Sequence, residues 1–177
     1  MANLQAHLRS QCLMAVDQPG KLLTSVNRLF YENTPSSSYA TLLFAEYDNK
    51  TQRLRYINCG HLSGLLLRSD DSVNRLESTC TVLGLFADWV CSVAECRIGV
   101  GDVLALYTDG ATESFNDADE EFGESGILSS LKRNRDQSPP EIAKTILTDV
   151  QGFAAGEQHD DITLIVAKCR TGLAGKK

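Results

Sequence analysis

A basic run is the first thing missing from this sequence. Its 17 lysines and arginines are scattered among 23 acidic residues, for a formal net charge of −6 at pH 7. Proteins that follow a phosphate backbone need a basic stripe, so nucleic acid is set aside as a partner. Long apolar runs are missing too. None approaches the ~20 residues of a membrane-spanning helix, and the opening Met1–Ser10 stretch is too polar for a signal peptide. The expectation is a soluble, cytoplasmic protein with no membrane partner. No glycine-rich loop ends in Lys-Ser or Lys-Thr, which removes nucleotide-dependent phosphotransfer. Six cysteines are present (Cys12, Cys59, Cys80, Cys91, Cys96 and Cys169), but no two form a C-x-x-C pair, and the three histidines lie far apart. A zinc site is thereby disfavoured, and the cysteines read as reduced residues that pack as small hydrophobes. Internal repeats and low-complexity segments are absent.

What is present is an ordinary globular composition, 42% hydrophobic and 23% charged. A length of 177 residues suits one domain, drawn here over 1–169 with a flexible tail at 170–177; two independent cores would be cramped. Leu4, Leu8, Cys12 and Leu13 recur at helical spacing, as do Leu22, Leu23, Val26, Leu29 and Phe30, with a break at Asp17-Gln18-Pro19-Gly20. Helices are therefore predicted near 3–14 and 20–31. Strands are predicted over 39–47, 54–59, 63–68, 90–98, 103–107 and 162–168, with 90–98 and 103–107 forming a hairpin through Gly99–Asp102. A short helix is expected over Gly126–Leu131. A longer one over 140–152 opens at Ser138-Pro139-Pro140-Glu141 and buries Ile142, Ile146, Leu147 and Val150. Strands joined by short turns, with helices grouped at two places, indicate an α+β fold of largely antiparallel sheets. A doubly wound parallel sheet and an eight-stranded barrel are excluded.

Two acidic motifs share one arrangement. The apolar run Val103–Tyr107 leads into Thr108-Asp109-Gly110, and Gln158-His159-Asp160-Asp161 leads into Ile162–Val166. Antiparallel neighbours would bring these carboxylates to one sheet edge, where they repel unless a cation lies between them. Magnesium and manganese suit such oxygen ligands, and two ions ~3.5–4 Å apart can activate a water for attack on phosphorus. An acidic domain that handles phosphate also needs a local positive charge, which a metal supplies. Spacing alone equally suits an Asp-Gly turn and an Asp-Asp cap. Other residues have plainer readings. His159 fits an exposed loop, the Thr163 hydroxyl could steady a carboxylate or simply reflect β propensity, and Trp89 covers core or loop. Asp117, Asp119, Glu120 and Glu121 form a solvated loop.

The ordered segments carry more. Met1–Arg9, Asn58-Cys59-Gly60-His61, Leu83-Gly84-Leu85-Phe86, Gly101–Gly110, Ala111–Asn116, Glu121-Phe122-Gly123 and Asp160-Asp161-Ile162-Thr163-Leu164 together resemble the SpoIIE-like branch of the PPM-type metal-dependent serine/threonine protein phosphatases. The resemblance covers nearly the whole chain. It implies an α-β-β-α sandwich with metals at one end between two central sheets, and a site holding two manganese or magnesium ions in the complete domain. By motif position Asp109 and Asp160 match metal ligands, Asp161 matches a residue that orients, and His61 lies at a structural strand turn. No residue is assigned as a covalent catalyst. The implied activity is hydrolysis of phosphoserine or phosphothreonine on a partner signalling protein, of the anti-anti-sigma type, under an upstream sensor or receiver domain. Family members carry earlier strands with an acidic residue and an Asp-containing, glycine-rich turn, whereas this chain starts inside the first helix. The expectation is therefore weak or no activity for this chain alone, and the alternative is a non-catalytic phosphatase-like binding module.

Overall fold

Proline opens the second helix of this chain, because a first-turn residue needs no backbone N–H for helix bonding. The computed structural model describes residues 2–12, 18–35, 37–154 and 160–170. In chain order the elements are α1 (Ala2–Cys12), α2 (Pro19–Asn33), β1 (Leu42–Asp48), β2 (Arg53–Cys59), β3 (Gly64–Leu67), β4 (Val73–Leu76), β5 (Ala94–Arg97), β6 (Val103–Tyr107), α3 (Asp109–Thr112), α4 (Gly123–Asn134), α5 (Pro139–Phe153) and β7 (Leu164–Lys168). They fall into two compact units. One comprises Met1–His61 with Glu77–Arg97, the other Leu62–Leu76 with Ile98–Lys177. The buried apolar residues form two clusters, one in each unit, where a single core was expected. The proposed tail beyond Arg170, together with Leu13, Asp17 and His159, lies outside the described residues.

In the first unit β1, β2 and β5 form an antiparallel sheet in that order, with Leu42 opposite Cys59 and Leu54 opposite Cys96. The Asp48 carboxylate makes the β1–β2 turn by accepting the Lys50 N–H and the Thr51 hydroxyl, each at 2.8 Å. The α2 stripe of Leu22, Leu23, Val26 and Phe30 packs with Leu4, Ile57, Cys59, Leu83 and Trp89. Asn27 is buried on the same helix and satisfied on both sides. Its Oδ1 accepts the Gly84 N–H at 2.8 Å and its Nδ2 donates to the Phe86 carbonyl at 3.0 Å. Gly84 has φ +85°, and any Cβ there would lie 2.5 Å from the Phe30 ring.

In the second unit the sheet order is β4-β3-β6-β7, antiparallel throughout. Leu65, Leu67, Val103, Ala105 and Tyr107 of the sheet pack against Ile127, Leu131, Ile142, Ile146 and Val150 of α4 and α5. Phe122 and Phe153 meet edge to face at 5.4 Å. Leu147, expected in the buried stripe of α5, is instead exposed. The buried Asp102 carboxylate organises the entry to β6. It accepts the Gly99 N–H at 2.8 Å, the Ser69 N–H at 2.9 Å and the Arg68 guanidinium at 2.9 Å, so a charge placed in the interior is fully hydrogen-bonded.

The strands predicted over 90–98 and 103–107 do not form a hairpin. The first shortens to β5 and pairs with β2, where Arg53 and Glu95 form an ion pair. The second, β6, is buried along most of its length and takes a partner on each side, β3 and β7. The intervening turn closes on the Asp102 side chain, with no ladder between the two strands. Two elements were not anticipated, the four-residue strand β4 and the single-turn helix α3, and the short helix expected over Gly126–Leu131 extends to Gly123–Asn134.

Candidate metal centre

The last rung of the β6–β7 ladder pairs Tyr107 with Leu164. Beyond it the strands stop, yet the two chains stay joined through Thr108. The Thr108 N–H donates to the Thr163 carbonyl at 3.1 Å, and its Oγ1 accepts the Thr163 N–H at 2.9 Å. The same hydroxyl donates to the Asp161 carbonyl at 3.1 Å. One hydroxyl thus extends the pairing past the sheet and holds the Asp160-Asp161 turn beside the Asp109-Gly110 turn. Gly110 completes the fit, since a methyl group there would lie 2.7 Å from the Asp161 carbonyl oxygen and 3.1 Å from that of Asp160. Only a residue without Cβ lets the two backbones approach so closely.

Asp109 and Asp160 occupy corresponding places in this clasp. Asp109 is the first residue of α3, and its Oδ1 accepts the Gly110 N–H at 3.0 Å. Asp160 precedes β7, and its Oδ1 accepts the Asp161 N–H at 2.7 Å. Both side chains are exposed, as is that of Asp161. The Asp109 carbonyl accepts the Glu113 N–H at 2.7 Å and the Thr112 hydroxyl at 3.2 Å, which anchors the turn on α3. The arrangement therefore places the Asp109 and Asp160 turns, both with exposed carboxylates, beside one another at one sheet edge. Among the described residues no group of three or more histidine, cysteine, aspartate or glutamate side chains is arranged to hold a metal ion. What the backbone brings together is two aspartate turns, not an enclosed cage.

The remaining sequence candidates have other positions. His61 is held in a strand-end turn, its N–H donating to Asn58 Oδ1 at 2.8 Å and its Nδ1 lying 3.3 Å from the Thr41 hydroxyl. Trp89 is buried and donates from Nε1 to the Thr81 carbonyl at 3.0 Å. The acidic run Asp117–Glu121 is an exposed loop shaped by Asn116, whose Oδ1 accepts the Ala118 and Glu120 N–H groups at 3.0 and 2.9 Å. Thr163 enters the clasp through its backbone. The hydroxyl that does this work belongs to Thr108, which the sequence reading passed over. A threonine directly after a buried strand, facing the start of its antiparallel partner, is the signal that could have found it.

Comparison with known proteins agrees with this architecture. The family model for stage II sporulation protein E (SpoIIE) matches residues 1–170. Protein IcfG of Synechocystis is 32% identical over 135 residues, covering 76% of this chain and 21% of that protein. The phosphoserine phosphatase RsbU of Bacillus subtilis is 28% identical over 152 residues, covering 85% of this chain and 45% of that protein. The chain thus spans less than half the length of these curated relatives. Among solved structures, the SiaA-PP2C domain of Pseudomonas aeruginosa superposes with a TM-score of 0.80 at 18% identity, covering 93% of this chain and 67% of that one. The manganese-presoaked phosphatase domain of SpoIIE from Bacillus subtilis gives a TM-score of 0.63 at 17% identity, covering 98% and 76%. The mixed α+β fold with antiparallel sheets is that of PP2C-type phosphatase domains.

Proposed function

The chain belongs to the SpoIIE family, and from that premise we propose that it is a metal-dependent protein serine/threonine phosphatase domain. In this reading Asp109 and Asp160 hold a divalent cation, manganese or magnesium, and the substrate is phosphoserine or phosphothreonine on a partner signalling protein. The observation that carries the reading is the Thr108 clasp, which keeps two Asp turns side by side on one exposed edge.

The donor chemistry fits the ion. Hard cations take carboxylate oxygens, and magnesium in particular is commonly bound through one or two carboxylates, with waters and substrate phosphate oxygens completing the set. When bound, the cation supplies Lewis acidity toward water and the phosphoryl group. The chain's own part is electrostatic and positional. Asp109 and Asp160 bring the negative charge that attracts the cation, Gly110 leaves the space for the second turn, and Asp161 is fastened through its carbonyl to Thr108. Two ions in the complete protein, an anti-anti-sigma-type substrate, an upstream sensor or receiver domain and a bacterial cytoplasmic setting follow from the family pattern.

Manganese titration of the chain by calorimetry is expected to show binding that Asp109→Asn and Asp160→Asn each weaken at least tenfold. Both variants should keep their stability in urea or gain slightly, because each removes one of two repelling charges. Phosphate release from a phosphoserine protein by the complete protein should fall with the same substitutions. No manganese binding by the unsubstituted chain would overturn the metal reading in favour of the non-catalytic binding module. Unchanged turnover in both variants would reduce the two aspartates to turn formers.

A further inference from the structure

Cys59 ends β2 and is fully buried, and Cys80, 21 positions later, is its parallel bridge partner. Their sulfurs lie 3.6 Å apart, and the Cys80 sulfur is also 3.5 Å from the Asn58 carbonyl oxygen, which shares its thiol proton. The backbone holds this juxtaposition. The Asn58 carbonyl accepts the N–H groups of Thr79 and Cys80 at 2.9 and 3.2 Å, and the Thr79 hydroxyl accepts the Asn58 N–H at 3.1 Å. Bridge partners on neighbouring strands lie about 5 Å apart, inside the Cα separation a disulfide requires. What remains is to bring the sulfurs from 3.6 Å to the ~2.05 Å of a bond, by side-chain rotation on a fixed backbone. We propose that Cys59 and Cys80 are a disulfide-forming pair, a modification site that closes when the protein meets a peroxide.

Cys80 is the half-exposed member and the point of entry. Its sulfur displaces water from hydrogen peroxide and becomes a sulfenic acid. The Cys59 sulfur then attacks the sulfenic sulfur and expels a second water, so two thiols and one peroxide become one disulfide and two waters. The two hydrogens lost from sulfur leave in the waters, and the two electrons reduce the peroxide. Burial pushes both thiols above the ordinary range, so the first step is slow near neutral pH and quickens in alkali. Cys91, also part of this core, donates to the Gly20 carbonyl at 3.7 Å and is not the partner.

The test is peptide mapping of the 177-residue chain after hydrogen peroxide treatment, under non-reducing conditions and again after dithiothreitol. The expected result is a single Cys59–Cys80 linkage with two hydrogens lost, reversed by the reductant. Closing this loop should lower the unfolding equilibrium constant in urea about a hundredfold. Cys91→Ser should leave the linkage intact, and Cys80→Ser should abolish it while Cys59 stays a thiol. A linkage through Cys91, or Cys80 carried on to its sulfinic acid beside an unreacted Cys59, would overturn the proposal. The mapping on the unsubstituted chain decides it even if a variant does not fold.

Discussion

At the scale of single residues, Thr108 carries more than its size suggests. Its one hydroxyl is an acceptor for the Thr163 N–H and a donor to the Asp161 carbonyl. Valine has nearly the same shape and neither capacity. Thr108→Val is therefore expected to cost about 1–3 kcal/mol, two hydrogen bonds at roughly 0.5–1.5 kcal/mol each, read from urea midpoints, and to weaken manganese binding. Thr108→Ser keeps the hydroxyl and should restore both. Equal behaviour of the valine and serine variants would mean that the clasp is incidental. The two turns that meet here were legible in the sequence because each lies at the end of an apolar run, Val103–Tyr107 and Ile162–Val166. The threonine was not, because its partners lie 53 and 55 positions away. A register must be known before a hydroxyl can be assigned across it.

At the scale of elements, α5 begins with a reciprocal cap. The Ser138 N–H and hydroxyl both donate to Glu141 Oε2, at 2.9 and 2.7 Å, and they hold the Glu141 carboxyl below its ordinary range. A depressed folded-state value means that this stabilisation is present above the ordinary glutamate range and is lost as the pH falls through the folded value. Glu141→Gln should accordingly destabilise the chain at neutral pH and converge with the unsubstituted protein on acidification, as followed by urea midpoints from pH 7 to pH 3. A gap that persists in acid would assign the effect to something other than charge. This helix was readable in advance because Ser-Pro-Pro-Glu is a local signal. The strand β4 was not. Only Leu76 of its four residues is buried, and what makes Val73–Leu76 a strand is its pairing with β3. The expected hairpin failed for a related reason, since adjacency in sequence counted for less than the need of a buried strand for two neighbours.

At the scale of the whole molecule, Tyr107 connects stability to alkaline pH. It is buried at the end of β6, and burial, followed by the charge of Glu124, pushes its hydroxyl up to about 12, with Arg75 opposing. The folded state keeps the proton after the unfolded chain has lost it. The contribution is therefore complete below about 10 and is lost as the pH rises from 10 through 12. About 2–3 kcal/mol is at stake over that span. Chemical unfolding between pH 9 and pH 12 should show the unsubstituted chain losing more stability than Tyr107→Phe, and parallel losses would discount the residue.

The order of the sheet β4-β3-β6-β7 bears on how the chain emerges from the ribosome. Strand β6 finishes at Tyr107, but its second neighbour is not available until Leu164–Lys168 has been made. Throughout that interval an apolar strand has one open edge, the kind of surface on which chains join one another. The helices α4 and α5 are made in between, so they can cover a face of the sheet but cannot close its edge. A nascent chain halted after Ala154, its open edge the buried β6, is therefore expected to scatter more light than a chain continued through Arg170, whose open edge is β7 with alternate residues facing water. The same short strand that follows Asp160 thus exchanges a fully apolar open edge for a half-exposed one as the chain is made.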